Sequence, residues 1–257
     1  MEYLQPNISI VDTVEIIKNK IRQNEPFCLT RFGDGEMRLM KNTHRHDKRW
    51  VKSVCATERY SYPAEVDLLY HDYGKMLWDT FNKSDIVGIM DEYSKALPGR
   101  HRLHDWSITL DDLEKLKIDY KDKKICDHQI SRSKELSQID NFKEIIQGKD
   151  IHIISKNYPI FKSIHLDKIL GVNITYSDHP NSINNRNKEN TIENFKNIKE
   201  DLVIMGIGLQ KDYGPILRDK HKKISIEIGA TMDAWGGILS RPSFIEGKVQ
   251  HHLVIKK

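Results

Sequence analysis

Residues 27–38 read Phe27-Cys28-Leu29-Thr30-Arg31-Phe32-Gly33-Asp34-Gly35-Glu36-Met37-Arg38. The apolar start of this stretch predicts a buried strand, and two carboxylates follow it, each directly after a glycine. Residues i and i+2 at the end of a strand project to the same side, so we expect Asp34 and Glu36 to converge on one cation. The two glycines are typical of a backbone that takes positive φ and lets a ligand approach closely.

The same stretch has a simpler interpretation as a turn. Gly-Asp-Gly is common in turns, where the acids are solvated or cap the next helix. Arg31 favours a ligand site, because its guanidinium is a rigid positive fork suited to phosphate. The choice between the two interpretations therefore depends on the rest of the chain.

Composition and charge limit the classes of protein to consider. The chain has 257 residues, of which 38% are hydrophobic and 30% charged, enough for one large α/β domain or two small ones. We find no repeat, low-complexity tract or long linker, and predict one domain over residues 1–257. The net charge of +4 is well below that of a nucleic-acid binder and suits small anions such as nucleotide diphosphates.

The cysteines and the first residues of the chain indicate the cellular compartment. Cys28, Cys55 and Cys126 are far apart and form no Cys-x-x-Cys pattern, which argues against a disulfide framework and a structural zinc. Residues 1–6 contain no basic segment, and no apolar run is long enough to span a bilayer. We expect a cytoplasmic protein.

Apolar runs of strand length alternate with helical patterns through most of the chain. This alternation predicts an α/β fold with a largely parallel sheet of about seven strands and helices on both faces. The predicted strands are residues 27–32, 85–90, 124–128, 150–155, 172–176, 201–206 and 223–228. The predicted helices are residues 9–23, 36–41, 66–81, 139–147, 158–170, 188–199, 215–221 and 231–239, with Asp12 and Thr231 as capping candidates.

Polar residues and glycines follow these predicted strands. In open α/β sheets ligands bind beyond the carboxyl ends of the strands. Acids there can hold a cation, arginine can neutralise phosphate, and glycines expose backbone N–H groups. The set suits a nucleotide diphosphate with a divalent metal, and it comprises Arg31, Asp34, Glu36, His128, Arg132, Ser155, Asn157, Asp178, Asn184, Gly206, Gly208, Gln210, Gly229 and Asp233.

Other common signatures are absent or incomplete. Gly206-Ile207-Gly208 lacks the third glycine of a dinucleotide fingerprint. The chain has no phosphate-binding Gly-x-x-x-x-Gly-Lys loop and no Gly-x-Ser-x-Gly elbow. His44, His46 and Asp47 belong to a metal-binding cluster, a phosphate-facing patch or a solvated basic loop.

Arg31-Phe32-Gly33-Asp34-Gly35-Glu36, directly after an apolar strand, resembles the signature of the GT-D-type bacterial glycosyltransferases. The resemblance extends over most of the chain, although only this stretch is specific. It continues at Ile130-Ser131-Arg132, at Met205-Gly206-Ile207-Gly208 and at Glu227-Ile228-Gly229.

The chain also departs from the family pattern. Glu227 stands where the family has aspartate, and Leu209 where it has proline. The loop at residues 180–184 matches only with a shift of one residue. Asp233-Ala234-Trp235-Gly236 replaces an acidic-aromatic segment near the C-terminus.

The resemblance implies a Rossmann-like fold and a hexosyltransferase-like activity that uses a nucleotide-sugar donor, a UDP-sugar. The family's DxE motif engages a divalent metal and the donor, which assigns Mn²⁺ or Mg²⁺ to Asp34 and Glu36. Asp233 is either the group that activates the acceptor hydroxyl or a helix-turn residue. The residues expected to bind the donor are Arg31, Gly33, Gly35, Arg132, Gly206, Gly208 and Gln210.

The implied acceptor is a glycan or glycoconjugate in the synthesis of a cell-surface polysaccharide or glycoprotein. A membrane-linked acceptor would bring the enzyme to the membrane peripherally. Two other functions stay open from the residues: a metal-dependent phosphohydrolase that uses His44, His46 and Asp47 with the same acids, and a non-catalytic nucleotide- or glycan-binding module.

Overall fold

The structure is a computed structural model that describes residues 2–42, 66–90, 107–179 and 188–238. Its centre is a sheet of parallel strands, which confirms the predicted α/β fold. The strands are β1 (Phe27–Arg31), β2 (Ile86–Ile89), β3 (Lys124–Asp127), β4 (Ile151–Ser155), β5 (Ile174–Ser177), β6 (Leu202–Gly206) and β7 (Ile224–Glu227). They lie in the order β3-β2-β1-β7-β6-β4-β5.

Helices connect these strands and cover the sheet. They are α1 (Ile10–Gln23), α2 (Asp34–Asn42), α3 (Val66–Lys83), α4 (Leu110–Lys115), α5 (Lys134–Ser137), α6 (Ile139–Ile146), α7 (Tyr158–Ser163), α8 (Leu166–Leu170), α9 (Lys188–Asn194), α10 (Tyr213–His221) and α11 (Ala230–Trp235). Two 3₁₀ turns, His128–Arg132 and Phe195–Asn197, complete the described elements.

Both faces of the sheet are covered, as the sequence predicted. On one face α1, α6, α7, α8 and α11 bury side chains such as Ile17, Phe142 and Trp235 in one core. On the other face α2, α3 and α4 cover one end of the sheet, and α9 and α10 cover the other. Neighbouring residues of a strand enter opposite cores: Ile204 lies in the first and Val203 in the other. Burial on both sides explains why the inner strands, such as β6, are largely apolar runs, whereas the edge strand β5 is only partly buried.

Several helix ends differ from the prediction because local hydrogen bonds decide them. Ser9, not Asp12, caps α1: its hydroxyl accepts from the Asp12 N–H and donates to the Asp12 carboxylate. Thr231 does not cap α11 but lies within it, because the helix begins after Gly229. The Thr231 hydroxyl instead donates to the backbone carbonyl of Ser131. The predicted end of this helix, at residue 239, lies outside the described residues.

Other differences concern whole helices. Residues 158–170 form two helices, α7 and α8, because His165 between them takes a left-handed conformation with φ of 53°. The predicted helix at residues 188–199 leaves α-helical geometry after Asn194. The helices α4 and α5 were not predicted, since they are too short to show a period. Reciprocal hydrogen bonds between Thr109 and Asp112 hold the first turn of α4.

The described cysteines carry free thiols in the core. Cys28 and Cys126 are buried and form no disulfide. Burial raises the pKa of both thiols, that of Cys126 to about 12. Cys55 lies outside the described residues. No helix in the described ranges has the length and hydropathy to cross a bilayer.

Candidate functional site

The carboxyl ends of β1, β7 and β6 lie side by side at one edge of the sheet. Arg31 is the last residue of β1, Glu227 of β7 and Gly206 of β6. A short loop leads from each strand into a helix: α2 follows β1, α11 follows β7 and α10 follows β6. Side chains from separate parts of the sequence therefore meet at this edge.

The two acids of the opening motif lie in the first turn of α2, not in an extended strand end. The strand ends at Arg31, and the helix begins at Asp34. Residues i and i+2 of a helix are about 200° apart around its axis. The pleat of a strand therefore does not apply to these two residues, and the expected extended backbone was wrong; their convergence on one cation stays a prediction.

Glu36 folds back on the start of its own helix. Its Oε2 accepts a hydrogen bond from the Gly33 N–H at 2.9 Å, as the third residue of a helix does in a capping box. Neither Gly33 nor Gly35 takes positive φ, contrary to the prediction. The need for glycine at position 33 is steric, because a Cβ there would lie 3.1 Å from Glu36 Oε2.

The other oxygen of Glu36 faces a buried lysine. Lys211 Nζ lies 3.3 Å from Glu36 Oε1 and 3.0 Å from Glu227 Oε1. Arg31 Nε lies 3.4 Å from Glu227 Oε2 on the opposite side. We call Arg31, Glu36, Lys211 and Glu227 the charge cluster; it holds two cationic and two acidic side chains.

The charge cluster is shielded from solvent. The side chains of Lys211 and Glu227 are 2% and 1% exposed, and those of Arg31 and Glu36 are each 12% exposed. Removing ionised groups from water is costly, and replacing buried ion pairs with apolar residues is often neutral or stabilising. Stability alone is therefore a weak reason for such a cluster, and its place at the carboxyl edge of the sheet indicates a role in binding.

Several polar atoms at this edge are buried without a hydrogen bond. Among the described residues they include Arg31 Nε, both carboxylate oxygens of Glu227, Gln210 Oε1 and His179 Nδ1. Gln210 is held at its other end, where Nε2 donates to the Tyr73 hydroxyl at 2.8 Å. The atoms of Arg31 and Glu227 have the ion-pair partners described above, which leaves Gln210 Oε1 and His179 Nδ1 without a polar partner. Buried polar side chains are nearly always satisfied, so these two atoms favour a ligand or ion at this edge.

His179 follows β5 and is also deeply buried. The pKa of its imidazole is lowered to about 4, chiefly by burial; a hydrogen bond to the Ile207 backbone raises the pKa, and the positive charges of Lys211 and Lys156 lower it. The ring packs edge-on against Tyr213 at the start of α10. It is therefore neutral near pH 7 and adds no charge to the site.

Glycines make room for the arginine. A Cβ on Gly229 would lie 2.2 Å from Arg31 Nη2, and a Cβ on Gly88 of β2 would lie 3.2 Å from Arg31 Cγ. Gly229 also takes a positive φ of 53°, with ψ of −128°, a combination that favours glycine. The arginine side chain thus occupies the volume that larger residues at these two positions would fill.

The glycines after β6 have different roles. Gly206 allows α11 to pack closely, because a Cβ there would lie 2.7 Å from the terminal methyl group of Met232. Gly208 takes positive φ, at 51°, and turns the chain toward Gln210 and Lys211. Their predicted contact with phosphate stays a prediction.

Asp233 lies on α11 and contacts the end of β4. Asn157 Nδ2 donates to Asp233 Oδ1 at 2.7 Å, and the Asn157 N–H donates to Ser155 Oγ at 3.1 Å. The structure therefore brings together three residues of the predicted set from two strand ends.

The remaining predicted residues lie in the turn after β3, in the first turn of α2 or outside the described residues. Arg132 ends the turn after β3 and donates to Gln129 Oε1 at 3.3 Å. Burial lowers the pKa of His128 at the start of that turn. Gly35 is buried in the first turn of α2, where the backbone also places Asp34. The loop residues His44, His46 and Asp47, together with Asn184, lie outside the described residues.

In the part of the chain that the structure describes, no three His, Cys, Asp or Glu side chains lie close enough to hold a metal by themselves. Two carboxylates with the other positions taken by water and phosphate oxygens are typical for Mg²⁺. Glu36 fits this pattern, because each of its oxygens has one partner and can accept more than one. The backbone of Asp34 lies in the same helical turn, and its predicted part in metal binding stays a prediction.

Sequence reasoning did not single out Lys211 as a site residue. A lysine in a polar loop is usually solvated, and no pattern around residue 211 indicates burial. Glu227 was noted only for the family resemblance. The sequence indicates Glu227 as a site residue more strongly than Lys211, because Glu227 is an acid that ends the apolar run of β7, where ligands bind.

Two comparisons with known proteins agree with this architecture. The family model of the GT-D fold-like domain matches residues 8–235. A solved structure described as the highly conserved domain of unknown function 1792, with a distinct glycosyltransferase fold, is similar with a TM-score of 0.57 and 17% identity. The alignment covers 96% of this chain and 83% of that one, and at this identity it shows the fold. A search of curated proteins gives no significant match.

Proposed function

The chain belongs to the GT-D-like family, and we propose that it is a metal-dependent glycosyltransferase. In this proposal it transfers a sugar from a nucleotide-diphosphate sugar, a UDP-sugar, to a glycan or glycoconjugate acceptor. The main supporting observation is the buried charge cluster at the carboxyl ends of β1, β7 and β6, beside which Gln210 Oε1 is buried without a hydrogen bond. In α/β sheets this edge is where nucleotides bind.

The residues at this edge suit the two parts of such a donor. Arg31 provides a guanidinium that is fixed between Glu227 and Gly229 and is suited to a diphosphate oxygen. Asp34 and Glu36 would hold Mn²⁺ or Mg²⁺. When bound, the cation would offset the negative charge that grows on the departing nucleotide diphosphate.

Asp233 is our candidate for activating the acceptor hydroxyl. Its hydrogen bond from Asn157 fixes one carboxylate oxygen, and an ionised carboxylate in a fixed position can accept a proton. Asp233→Asn keeps an oxygen for Asn157 to donate to, but removes the base. We expect kcat for transfer to fall at least about 100-fold with little change in the donor KM.

An equal loss in kcat and kcat/KM in a folded Asp233→Asn variant would support this assignment, as would retained hydrolysis of the donor by water. If transfer continues at the wild-type rate, Asp233 is a structural residue of α11 and the base lies elsewhere.

The proposal is tested with a panel of nucleotide sugars. Release of the nucleoside diphosphate is measured with Mn²⁺, with Mg²⁺ and with EDTA, and the sugar product is identified by mass spectrometry. We expect release from one nucleotide class that stops in EDTA. Binding without turnover would indicate a non-catalytic module, and cleavage of simple phosphoesters without a sugar donor would indicate a phosphohydrolase.

The proposal includes a cytoplasmic reaction with peripheral association when the acceptor is membrane-linked. That part is tested separately by cell fractionation, in which recovery of the protein with membranes supports peripheral association and recovery in the soluble fraction alone contradicts it.

A further inference from the structure

We propose that Lys211 is a built-in counter-charge that weakens divalent-cation binding at Asp34 and Glu36 until a nucleotide diphosphate is present. This inference rests on the proposed function, because it concerns the same metal motif. It assigns a role to a residue that neither the sequence motif nor the resemblance includes.

The position of Lys211 is the first argument. Its ammonium group lies within 3.3 Å of the acid in the metal motif and 3.0 Å of the acid at the end of β7. Only 2% of the side chain is exposed, so water screens its charge very little. The lysine ammonium group therefore already pairs with the Glu36 carboxylate, at the place where a metal would bind.

The anchoring of Lys211 is the second argument. The loop from Ile207 to Asp212 closes with hydrogen bonds from Gln210 N to Ile207 O and from Lys211 N to Leu209 O. Gly208 in that loop has a left-handed φ, and Tyr73 holds the neighbouring Gln210. The backbone of Lys211 is thus fixed beside the motif by short contacts on both sides.

The charge balance is the third argument. Arg31 and Lys211 carry two positive charges, and Glu36 and Glu227 carry two negative charges, so the charge cluster is neutral as a unit. A divalent cation beside Glu36 adds two positive charges close to the lysine, with little solvent to screen the repulsion. A diphosphate brings the negative charge that restores the balance and gives the ammonium a new partner.

The consequence is a coupling between two ligands. Metal alone binds weakly, and metal with nucleotide binds well, since each reduces the electrostatic cost of the other. Such coupling limits occupancy of the site by free metal before the donor arrives.

The experiment measures Mn²⁺ binding without nucleotide, by the loss of the free Mn²⁺ signal in electron paramagnetic resonance. The proteins are wild type, Lys211→Met, Lys211→Arg and the control Lys83→Met. Lys83 is an exposed lysine of α3 that pairs with Asp79. We expect Lys211→Met to bind Mn²⁺ at least tenfold more tightly than wild type. Lys211→Arg, which keeps the charge, and Lys83→Met should match wild type.

Wild-type or weaker Mn²⁺ affinity in folded Lys211→Met would overturn the inference. Circular dichroism checks folding, because the substitution leaves Glu36 and Glu227 without their shared cation. Lys211→Gln, whose amide can still donate to a carboxylate, is measured beside it and should also bind Mn²⁺ more tightly. If wild type releases nucleotide from a sugar donor in EDTA, or releases none with any metal, the proposed function fails, independently of how the Lys211 variants compare.

Discussion

Two glycines leave the space that the Arg31 side chain occupies. Gly229 lies against its guanidinium and Gly88 against its Cγ, and Glu227 provides its carboxylate partner. The sequence indicated Arg31 directly, because an arginine at the end of an apolar strand and before two acids is unusual. It could not indicate the glycines as its neighbours, since Gly88 lies on β2 and Gly229 lies after β7, and they are close only in the folded chain.

Gly229→Ala tests this arrangement. The new methyl group would lie 2.2 Å from Arg31 Nη2, at a position with φ of 53°. We expect metal-dependent nucleotide release to fall at least about tenfold because the guanidinium is displaced. Unfolding in urea should also show a loss of stability of about 1–3 kcal/mol from the strained backbone.

Gly171→Ala is the matched control for Gly229→Ala. Gly171 also takes positive φ, at 72°, but a Cβ there meets nothing within 4 Å. It should lose stability from backbone strain alone and keep wild-type nucleotide release. Equal activity loss in the two variants would show that the effect comes from destabilisation and not from Arg31.

At the scale of elements, long periodic segments were predicted and short ones were not. The fourteen residues of α1 repeat apolar side chains over nearly four turns, and the prediction identified that helix. The four residues of α5 and the six of α4 contain too few turns for a period. The start of α2 was predicted two residues late, because glycines suggested a turn where the chain is already helical.

The contact between β4 and β5 contains a buried histidine that makes stability depend on pH. His152 lies 2.6 Å from Thr175 Oγ1 and 2.8 Å from Ser177 Oγ through its two ring nitrogens. Burial lowers its pKa to about 4, with Lys223 lowering and Glu200 raising it. The unfolded chain, with a histidine pKa of about 6.5, therefore binds more protons than the folded one between pH 4 and 6.5.

His152 should thus contribute its full stabilisation above pH 6.5 and lose it progressively as the pH falls to 4. The largest loss from this one group is on the order of 3 kcal/mol. We expect His152→Gln to flatten the decline in unfolding free energy measured by urea titration at several pH values. The exposed His165 provides the control His165→Gln, which should follow wild type. An unchanged slope in His152→Gln would contradict the account of this contact.

For the whole molecule, the number and parallel direction of the strands were predicted, but their order was not. The order β3-β2-β1-β7-β6-β4-β5 brings the first and last strands together at the centre of the sheet. Arg31 and Glu227 are therefore neighbours although 196 positions separate them along the chain, from residue 31 to residue 227. Local sequence patterns contain no information about such long-range pairing. That residues 1–257 form one domain stays a prediction.

The strand order also indicates the extent of the site. The strands β6 and β4 are neighbours in the sheet. The connection after β6 runs to β7 on one side of this pair, and the connection after β4 runs to β5 on the other side, so the two connections run in opposite directions. Ligands of α/β proteins bind at such a divergence. Asn157 and Asp233 lie at this end of β4. We therefore expect the acceptor to bind beside them, with the donor diphosphate over the charge cluster.

The central claim is that the acids at the start of α2 make nucleotide release depend on a metal. The most direct measurement compares Mn²⁺-dependent release of nucleoside diphosphate from the active sugar donor by wild type, Asp34→Asn and Asp140→Asn. Asp140 is an aspartate of α6 whose side chain is 90% exposed. We predict that Asp34→Asn lowers release at least about 100-fold while Asp140→Asn and wild type release equally, and that EDTA stops both active proteins. Release by folded Asp34→Asn at the wild-type rate, or release in EDTA, would contradict the claim.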